Sequence, residues 1–254
     1  MEGVIKSAGR TMQILETMDS AGKELRVSDI AEKLDIPQSS ASLLIKSLNK
    51  MGFLDFNPET RMYRPSVRVA MLGTWVLGSD AITGELLKLM SRVSEETRQT
   101  VALIVQNNLN MQYVNVVEGT ESLRMVIHTG ASRPLHMGAA GLVLLAQKTD
   151  DEIRKTLVHA NSVNEDEHLK ADVATVFSQI EFIRENGYFL SDGLYTPNAG
   201  MLAIPLQQRK HRKPLVIGIG GFSAILRDNK QGYLEVLRSA VKEFEGNLVG
   251  QTAE

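Results

Sequence analysis

At 254 residues, 43% of them hydrophobic, the chain is long enough for two modest domains and too apolar for disorder. Its net charge of −2 does not by itself point to nucleic acid, and the absence of cysteine removes disulfides and thiolate metal sites and is compatible with a reducing cytoplasm. No signal-like apolar N-terminus and no apolar run of about 18 residues occurs, so membrane insertion is not expected.

The first informative stretch is 25–65. Val27, Ile30, Ala31 and Leu34 fall at i, i+3, i+4 and i+7, and so do Ala41, Leu44, Ile45 and Leu48, which predicts two amphipathic helices sharing a core. Asp35 and Ile36 form the turn between them, and Pro37 is placed at the first helical position of the second helix, where a missing N–H costs nothing. On a wheel of about 100° per residue the opposite face of that helix carries Ser39, Ser42, Leu43, Lys46 and Lys50. Small hydroxyls let a helix lie deep in a DNA groove, and lysines supply charge. Leu43 reads either as a lone surface leucine or as an apolar contact to a thymine methyl group.

After Gly52, Phe53–Phe56 and Arg61–Arg64 read as two strands around Asn57-Pro58-Glu59-Thr60, a type I turn with proline at its second position. Helix, turn, helix and hairpin make a winged helix-turn-helix. Arg61 and Arg64 are assigned to the returning strand, within reach of phosphates or the minor groove, or else are ordinary solvated strand charges. Residues 1–75 hold ten Lys/Arg against nine Asp/Glu and the remainder 18 against 21, so DNA binding must rest on local placement of charge and on dimerisation.

Ser66–Leu77 reads as a linker helix on which Met71 and Trp75, at i and i+4, form an apolar stripe. Either a symmetric partner or the chain's own second domain covers it. The expected division is a DNA-binding domain over 1–65, a linker over 66–80 and a second domain over 81–254.

Beyond residue 81 the expected order is a helix (Ile82–Arg98), strands at Thr100–Gln106, Met111–Val117 and Leu123–His128, and helices at Ala139–Ala146, Asp150–His159 and Asp172–Asn186. Strands at Tyr188–Ser191, Gly200–Leu206 and Pro214–Phe222 and a helix over Asn229–Leu248 complete it. Runs of strands separated by runs of helices argue for an α+β domain with helices on an antiparallel sheet.

Three blocks of residues resemble the IclR family of bacterial transcriptional regulators. The first is Ser7-Ala8-Gly9-Arg10 with Ile14-Leu15, Asp29-Ile30-Ala31, Pro37-Gln38-Ser39-Ser40-Ala41, Leu48, Gly52 and Tyr63-Arg64. The second is Leu123-Arg124-Met125, Gly130, Pro134-Leu135-His136, Ala140-Gly141 and Leu144-Leu145-Ala146, and the third Gly187-Tyr188 with Leu202-Ala203-Ile204-Pro205. The resemblance implies a dimerisation role for the linker and a C-terminal sensor domain similar to the GAF and PAS folds that bind small molecules. It adds Arg10, Gln38 and Ser40 to the DNA contacts expected of Ser39, Ser42, Leu43, Lys46, Arg61 and Arg64 from the helix face and the wing. Where the family often has an arginine this chain has Leu43, which suggests a different operator.

For the sensor, Pro134–Gly141 leads through small residues into a helix whose N-terminal N–H groups attract anions. The resemblance places a pocket for small organic acids here, with Gly138, Ala139 and Ala140 as wall, Leu123, Met125 and His136 beside them, and Asp192, Ala199 and Met201 opposite. Close helix packing is the competing reading for the small residues. In the family's pattern, serines stand at Gly218 and Gly220, so the expectation is a roomier, less polar cavity suited to an aromatic or longer-chain acid. Glycines that merely accommodate a neighbouring side chain are the alternative.

Other patterns are declined. Gly218-Ile219-Gly220-Gly221 lacks the third spaced glycine and opening helix of a dinucleotide site, so no cofactor is expected. The histidines at 128, 136, 159, 168 and 211 have no metal-ligand spacing, and His136 reads either as a pocket donor or as a hydrogen-bonded structural histidine; Arg209–Lys213 reads as a solvated hairpin tip and Glu165–His168 as a charged loop. No nucleophile, base and orienter form a set. The expected function is a cytoplasmic, ligand-responsive DNA-binding regulator, a homodimer or dimer of dimers acting on double-stranded operator DNA. An enzyme with an appended DNA-binding domain and a purely architectural DNA binder are the other classes weighed. The sequence does not say which acid, which operon, or whether the outcome is repression or activation.

Overall fold

The computed structural model describes residues 5–69, 72, 80–122, 124–206 and 214–250. The chain divides into two compact units, Met1–Thr83 and Gly84–Glu254.

The first unit is built from α1 (Lys6–Ala21), α2 (Val27–Lys33), α3 (Gln38–Lys50) and the antiparallel pair β1 (Leu54–Asn57) and β2 (Met62–Pro65). Its core joins Ile14 and Met18 of α1, Ile30 and Ala31 of α2, Ala41, Ile45 and Leu48 of α3, and Leu54 and Tyr63 of the hairpin. Two helix ends fix its angles by the same device. After α2 the Ile36 N–H reaches the Ala31 carbonyl (3.0 Å) and the Asp35 N–H that of Glu32 (3.2 Å), with Asp35 left-handed at φ 49°. After α3 the Phe53 N–H reaches the Leu48 carbonyl and the Gly52 N–H that of Asn49, both at 2.9 Å, with Gly52 at φ 78°. Both are 6→1 and 5→2 closures that satisfy the last carbonyls and turn the chain sharply.

Three details differ from the sequence expectation. Pro37 stands one residue earlier than expected, as the N-cap of α3 with extended ψ, and its carbonyl accepts the first helical bond from Ala41 (3.1 Å). Arg61 is at the wing tip and not on the strand: it is left-handed (φ 55°), while Asn57 Oδ1 accepts from the Glu59 and Thr60 N–H groups. Leu25 pairs with Tyr63, adding a third short element to the wing. Residues 67–69 and 72 are helical, as a linker helix requires; Met71 and Trp75 lie outside the described residues.

The second unit is a six-stranded antiparallel sheet in the order β5-β4-β3-β8-β7-β6. Its strands are β3 (Thr100–Asn107), β4 (Asn110–Val117), β5 (Ser132–Pro134), β6 (Phe189–Asp192), β7 (Ala199–Leu206) and β8 (Leu215–Phe222). The helices are α4 (Asp80–Thr97), α5 (Ala139–Ala146), α6 (Asp150–Val163), α7 (Val173–Asn186), α8 (Ser223–Asp228) and α9 (Lys230–Gly250). Alternation along the strands sends Ala102, Ile104, Met111, Tyr113, Met201, Ala203 and Val216 into one core with α5, α6 and α7. On the other parity, Leu202, Ile204 and Leu206 of β7 are buried on the side where α9 packs. An Arg92–Glu243 ion pair joins α4 to α9.

The run Leu123–His128 makes no ladder over its described residues: the place beside β4 is taken by β5, whose Arg133 pairs with Met111. Thr100 Oγ1 instead donates to the Met125 carbonyl (2.8 Å). The short helix α8 and the 3-10 turn Leu135–Met137 are further elements the sequence did not suggest.

α5 is apolar on every side and buried from Ala139 to Leu145, as a helix in the middle of a domain must be. Gly141 is required there, because a Cβ would lie 2.0 Å from the Leu135 carbonyl oxygen. At its other end Arg184 donates to the carbonyls of Ala146 (3.2 Å) and Lys148 (2.7 Å) and pairs with Asp150 (2.8 Å), covering the negative end of the helix.

Candidate functional site

Two surfaces carry recognition chemistry, one in each unit. On α3, Gln38, Ser39, Leu43, Lys46 and Lys50 are exposed and Ser40 and Ser42 half-buried. Leu43 is 70% exposed, so folding gives it no core role. Ser47, also exposed, turns its hydroxyl back to the Leu43 carbonyl (2.8 Å). Among the described residues, the side chains of Ser39, Ser42 and Lys46 have no intramolecular polar partner. Arg10, on α1, is half-buried. The two wing arginines differ: Arg61 at the tip has no side-chain partner among the described residues, whereas Arg64 lies 3.6 Å from Asp55 and 4.0 Å from Glu24. Arg64 reaches a phosphate only by leaving two carboxylates.

In the second unit a pocket opens where β4, β5, β6, β7 and the start of α5 converge. Met111 and Tyr113 come from β4, Arg133 from β5, Ser191 from β6, and Gly200 and Met201 from β7; Met125, Met137, Gly138 and Ala139 close one side. The β6–β7 loop with Leu194, Tyr195 and Thr196, and Ala199 at the start of β7, close another. That loop is pinned at its base by the Gly193 N–H donating to the Ala199 carbonyl (2.9 Å). The cavity volume is about 30 Å³, room for one or two waters.

Three glycines explain how the walls meet. A Cβ on Gly138 would lie 2.4 Å from Met111 Cε, one on Gly218 2.7 Å from Met201 Sδ, and one on Gly220 2.8 Å from Ile127 Cδ1 and 3.6 Å from Met125 Sδ. Each glycine is a socket for a neighbouring side chain. The expected roominess at Gly218 and Gly220 is therefore corrected: Met201 fills the space at Gly218, and Ile127, with Met125 and Met201 beside it, fills that at Gly220.

Of the anticipated sensor residues, Met125, Gly138, Ala139, Ala199 and Met201 come together in this lining. Five do not join that lining. Ala140 is fully buried inside the helix packing. His136 turns away, its Nε2 hydrogen-bonded to the Leu169 carbonyl at 3.1 Å, and burial pushes its pKa down against the raising effect of that bond. Asp192 is ion-paired with Arg227 and stands outside the lining. Gly218 and Gly220 lie behind the methionines. Leu123 falls outside the described residues.

Sequence reasoning missed Arg133, the one ionisable group of that lining besides the tyrosines. Its guanidinium stacks over the Tyr195 ring (4.3 Å to the centroid), Nη1 donates to Thr196 Oγ1 (3.1 Å), and no carboxylate lies within 4 Å among the described residues. Tyr113 beside it is buried, which raises its pKa, while the Arg133 charge pulls the other way. The signal was only a lone arginine next to the Pro134–Gly141 stretch.

A helix pair presenting a polar and cationic stripe beside a wing, in one chain with a separate sheet domain holding a pocket, defines a ligand-responsive transcriptional regulator. The model of the IclR helix-turn-helix domain matches residues 7–58 and that of the bacterial transcriptional regulator IclR C-terminal domain matches 75–245. The chain belongs to the IclR family. It is 26% identical over 209 residues to the HTH-type transcriptional regulator XynR of Escherichia coli K12, covering 82% of this chain and 83% of that one. To the transcriptional repressor IclR of the same organism it is 24% identical over 253 residues, covering 95% and 89%. The crystal structure of an IclR homologue from Microbacterium hydrocarbonoxydans complexed with 4-hydroxybenzoate superposes with a TM-score of 0.68 at 20% identity, covering 96% of this chain and all (100%) of that one. The Thermotoga maritima IclR gives 0.67 at 21%, covering 95% and 98%.

Proposed function

We propose that this regulator binds duplex operator DNA as a homodimer or dimer of dimers in the cytoplasm, and that a small organic acid with an apolar body, held in the second unit, tunes that binding. Gln38, Ser39, Ser42, Leu43 and Lys46 meet base edges from the major groove, and Arg10, Ser40, Arg61 and Arg64 meet the backbone. The reading leaves the chain no catalytic role. The observation that carries it is the make-up of the pocket: thioether and aromatic walls, one guanidinium, and the N-terminus of a buried helix at Gly138–Ala139. Such walls favour an apolar body, and a cation with a helix N-terminus favours an anionic head. The 4-hydroxybenzoate held by a homologue of the same fold supports the acid class.

The test is a selection of random duplexes with the full chain, followed by titration of the selected duplex in the presence of aliphatic and aromatic acids. A two-fold-symmetric motif with half-sites about one helical turn or a multiple apart is expected, with an affinity that one class of acid changes. An asymmetric motif, or an affinity indifferent to every acid, would overturn the reading.

A further inference from the structure

We propose that Arg133 is the residue that recognises the effector's carboxylate, and that Thr196 and Tyr195 hold its guanidinium as a latch which the acid must win over. The inference rests on the organic-acid reading above and adds to it a residue, a head group and a competition.

Arg133 faces a wall of thioethers and aromatic rings with a hydroxyl and a ring face as its partners and no carboxylate. A guanidinium offers five donors, and a neutral hydroxyl engages one of them. A carboxylate accepts two in parallel and adds a full opposite charge, which the hydroxyl, a dipole alone, does not supply. In the partly screened mouth of the pocket that exchange favours an acid over the amide of the same shape. Because Thr196 and Tyr195 both belong to the β6–β7 loop, taking Arg133 from them frees that loop from β5.

The body of the ligand follows from the methionines. A cavity of about 30 Å³ does not hold a ring, since ligand pockets typically measure ~300 Å³ or more. Its lining includes Met111 and Met201, side chains with three rotatable bonds and a soft sulfur that packs well on aromatic edges. They turn aside at small cost, whereas branched side chains would not. The fitting ligand is thus a monocarboxylate with a flat or slender apolar body.

Calorimetry of the full chain decides this, using benzoate, 4-hydroxybenzoate, phenylacetate and hexanoate, each beside its neutral amide. The parent is expected to bind at least one acid about tenfold or more better than its amide. Arg133→Gln should weaken that acid about 10- to 100-fold while leaving the amide within about threefold, and Arg133→Lys should recover part of the loss. Thr196→Val, which removes the competing acceptor, should tighten the acid about two- to fivefold. If Arg133→Gln keeps the parent's preference for acid, another group reads the carboxylate and the inference fails while the pocket reading stands. Equal losses for acid and amide would make Arg133 a structural clasp, which also overturns it. A parent that binds none of the four acids overturns both. Should Arg133→Gln not fold, Thr196→Val still decides, because unchanged acid affinity there removes the latch.

Discussion

The two units solve recognition in opposite ways. In the first, the side chains proposed to meet DNA point outward from a helix whose inward face is locked by Ala41, Ile45 and Leu48, so that surface exists once the core has formed. In the second they point inward, and the recognising surface is made of the far ends of methionines resting in glycine sockets. On the proposed reading the DNA face is preformed and the ligand face is adaptable. A regulator needs both, because a groove of fixed width rewards a rigid reader while a switch must change shape when its ligand arrives.

Within the second unit the rigid and adaptable parts can be separated at two glycines three residues apart. Gly141→Ala drives a Cβ into the Leu135 backbone at 2.0 Å, where nothing flexible gives way, and is expected to cost more than about 3 kcal/mol. Gly138→Ala meets only the tip of Met111 and should cost about 1 kcal/mol or less, while altering ligand affinity. Guanidinium unfolding of both variants checks this. Equal losses would mean that the pocket wall is as stiff as the core.

Ile45→Ala tests the comparison between units. The side chain is fully buried at the centre of the first core, and its truncation should cost about 3 kcal/mol. Hydrogen exchange read by mass spectrometry is expected to lose protection over residues 6–65 and to keep it over 84–206. Loss in both would show that the two units unfold together.

These regions also differ in how far the sequence disclosed them. The outward stripe of α3 was legible because a helix projects residues three and four apart onto one face, and Ser39, Ser42, Leu43 and Lys46 need no knowledge of the rest of the chain. The pocket was legible only in part. Gly138 and Ala139 were found through a helix start, yet the residue that fills Gly138's space is Met111, on a strand 27 positions earlier, and the pairing of β4 with β5 brings them together. The strand glycines were read as space because a missing side chain looks like room; the register places a methionine against it. The run at 123–128 has a strand's composition, and the place beside β4 goes to β5 instead, which no local pattern reveals.

His136 gives a smaller, pH-dependent effect. Burial lowers its pKa, so the fold favours the neutral ring and the unfolded chain binds the proton more readily. Stability from this group is fully present above the unfolded value near 6.5 and is lost as pH falls through that value toward the folded one. The slope is at most about 1.4 kcal/mol per pH unit. His136→Gln, which keeps a donor for the Leu169 carbonyl, should flatten the dependence in denaturation curves taken between pH 7 and 5; an unchanged slope would assign it to another group.

The smallest effect on stability is expected at Leu43, and there the outward design of the first unit is most exposed to test. A leucine with 70% of its surface in water contributes little packing, so Leu43→Ala should move the unfolding midpoint by less than about 0.5 kcal/mol. If the side chain meets a thymine methyl group, the same change should lower preference at one base pair of each half-site by about 1 kcal/mol and leave the other positions and the salt dependence as they were. Arg61→Ala at the wing tip supplies the contrast, since losing a phosphate contact weakens all duplexes alike and lowers the salt slope by about one. Selection from random duplexes by the two variants separates these patterns. A Leu43→Ala protein that selects the parent's motif would leave Leu43 as an exposed side chain with no part in reading DNA, and would move the burden of specificity to Ser39, Ser42 and Lys46.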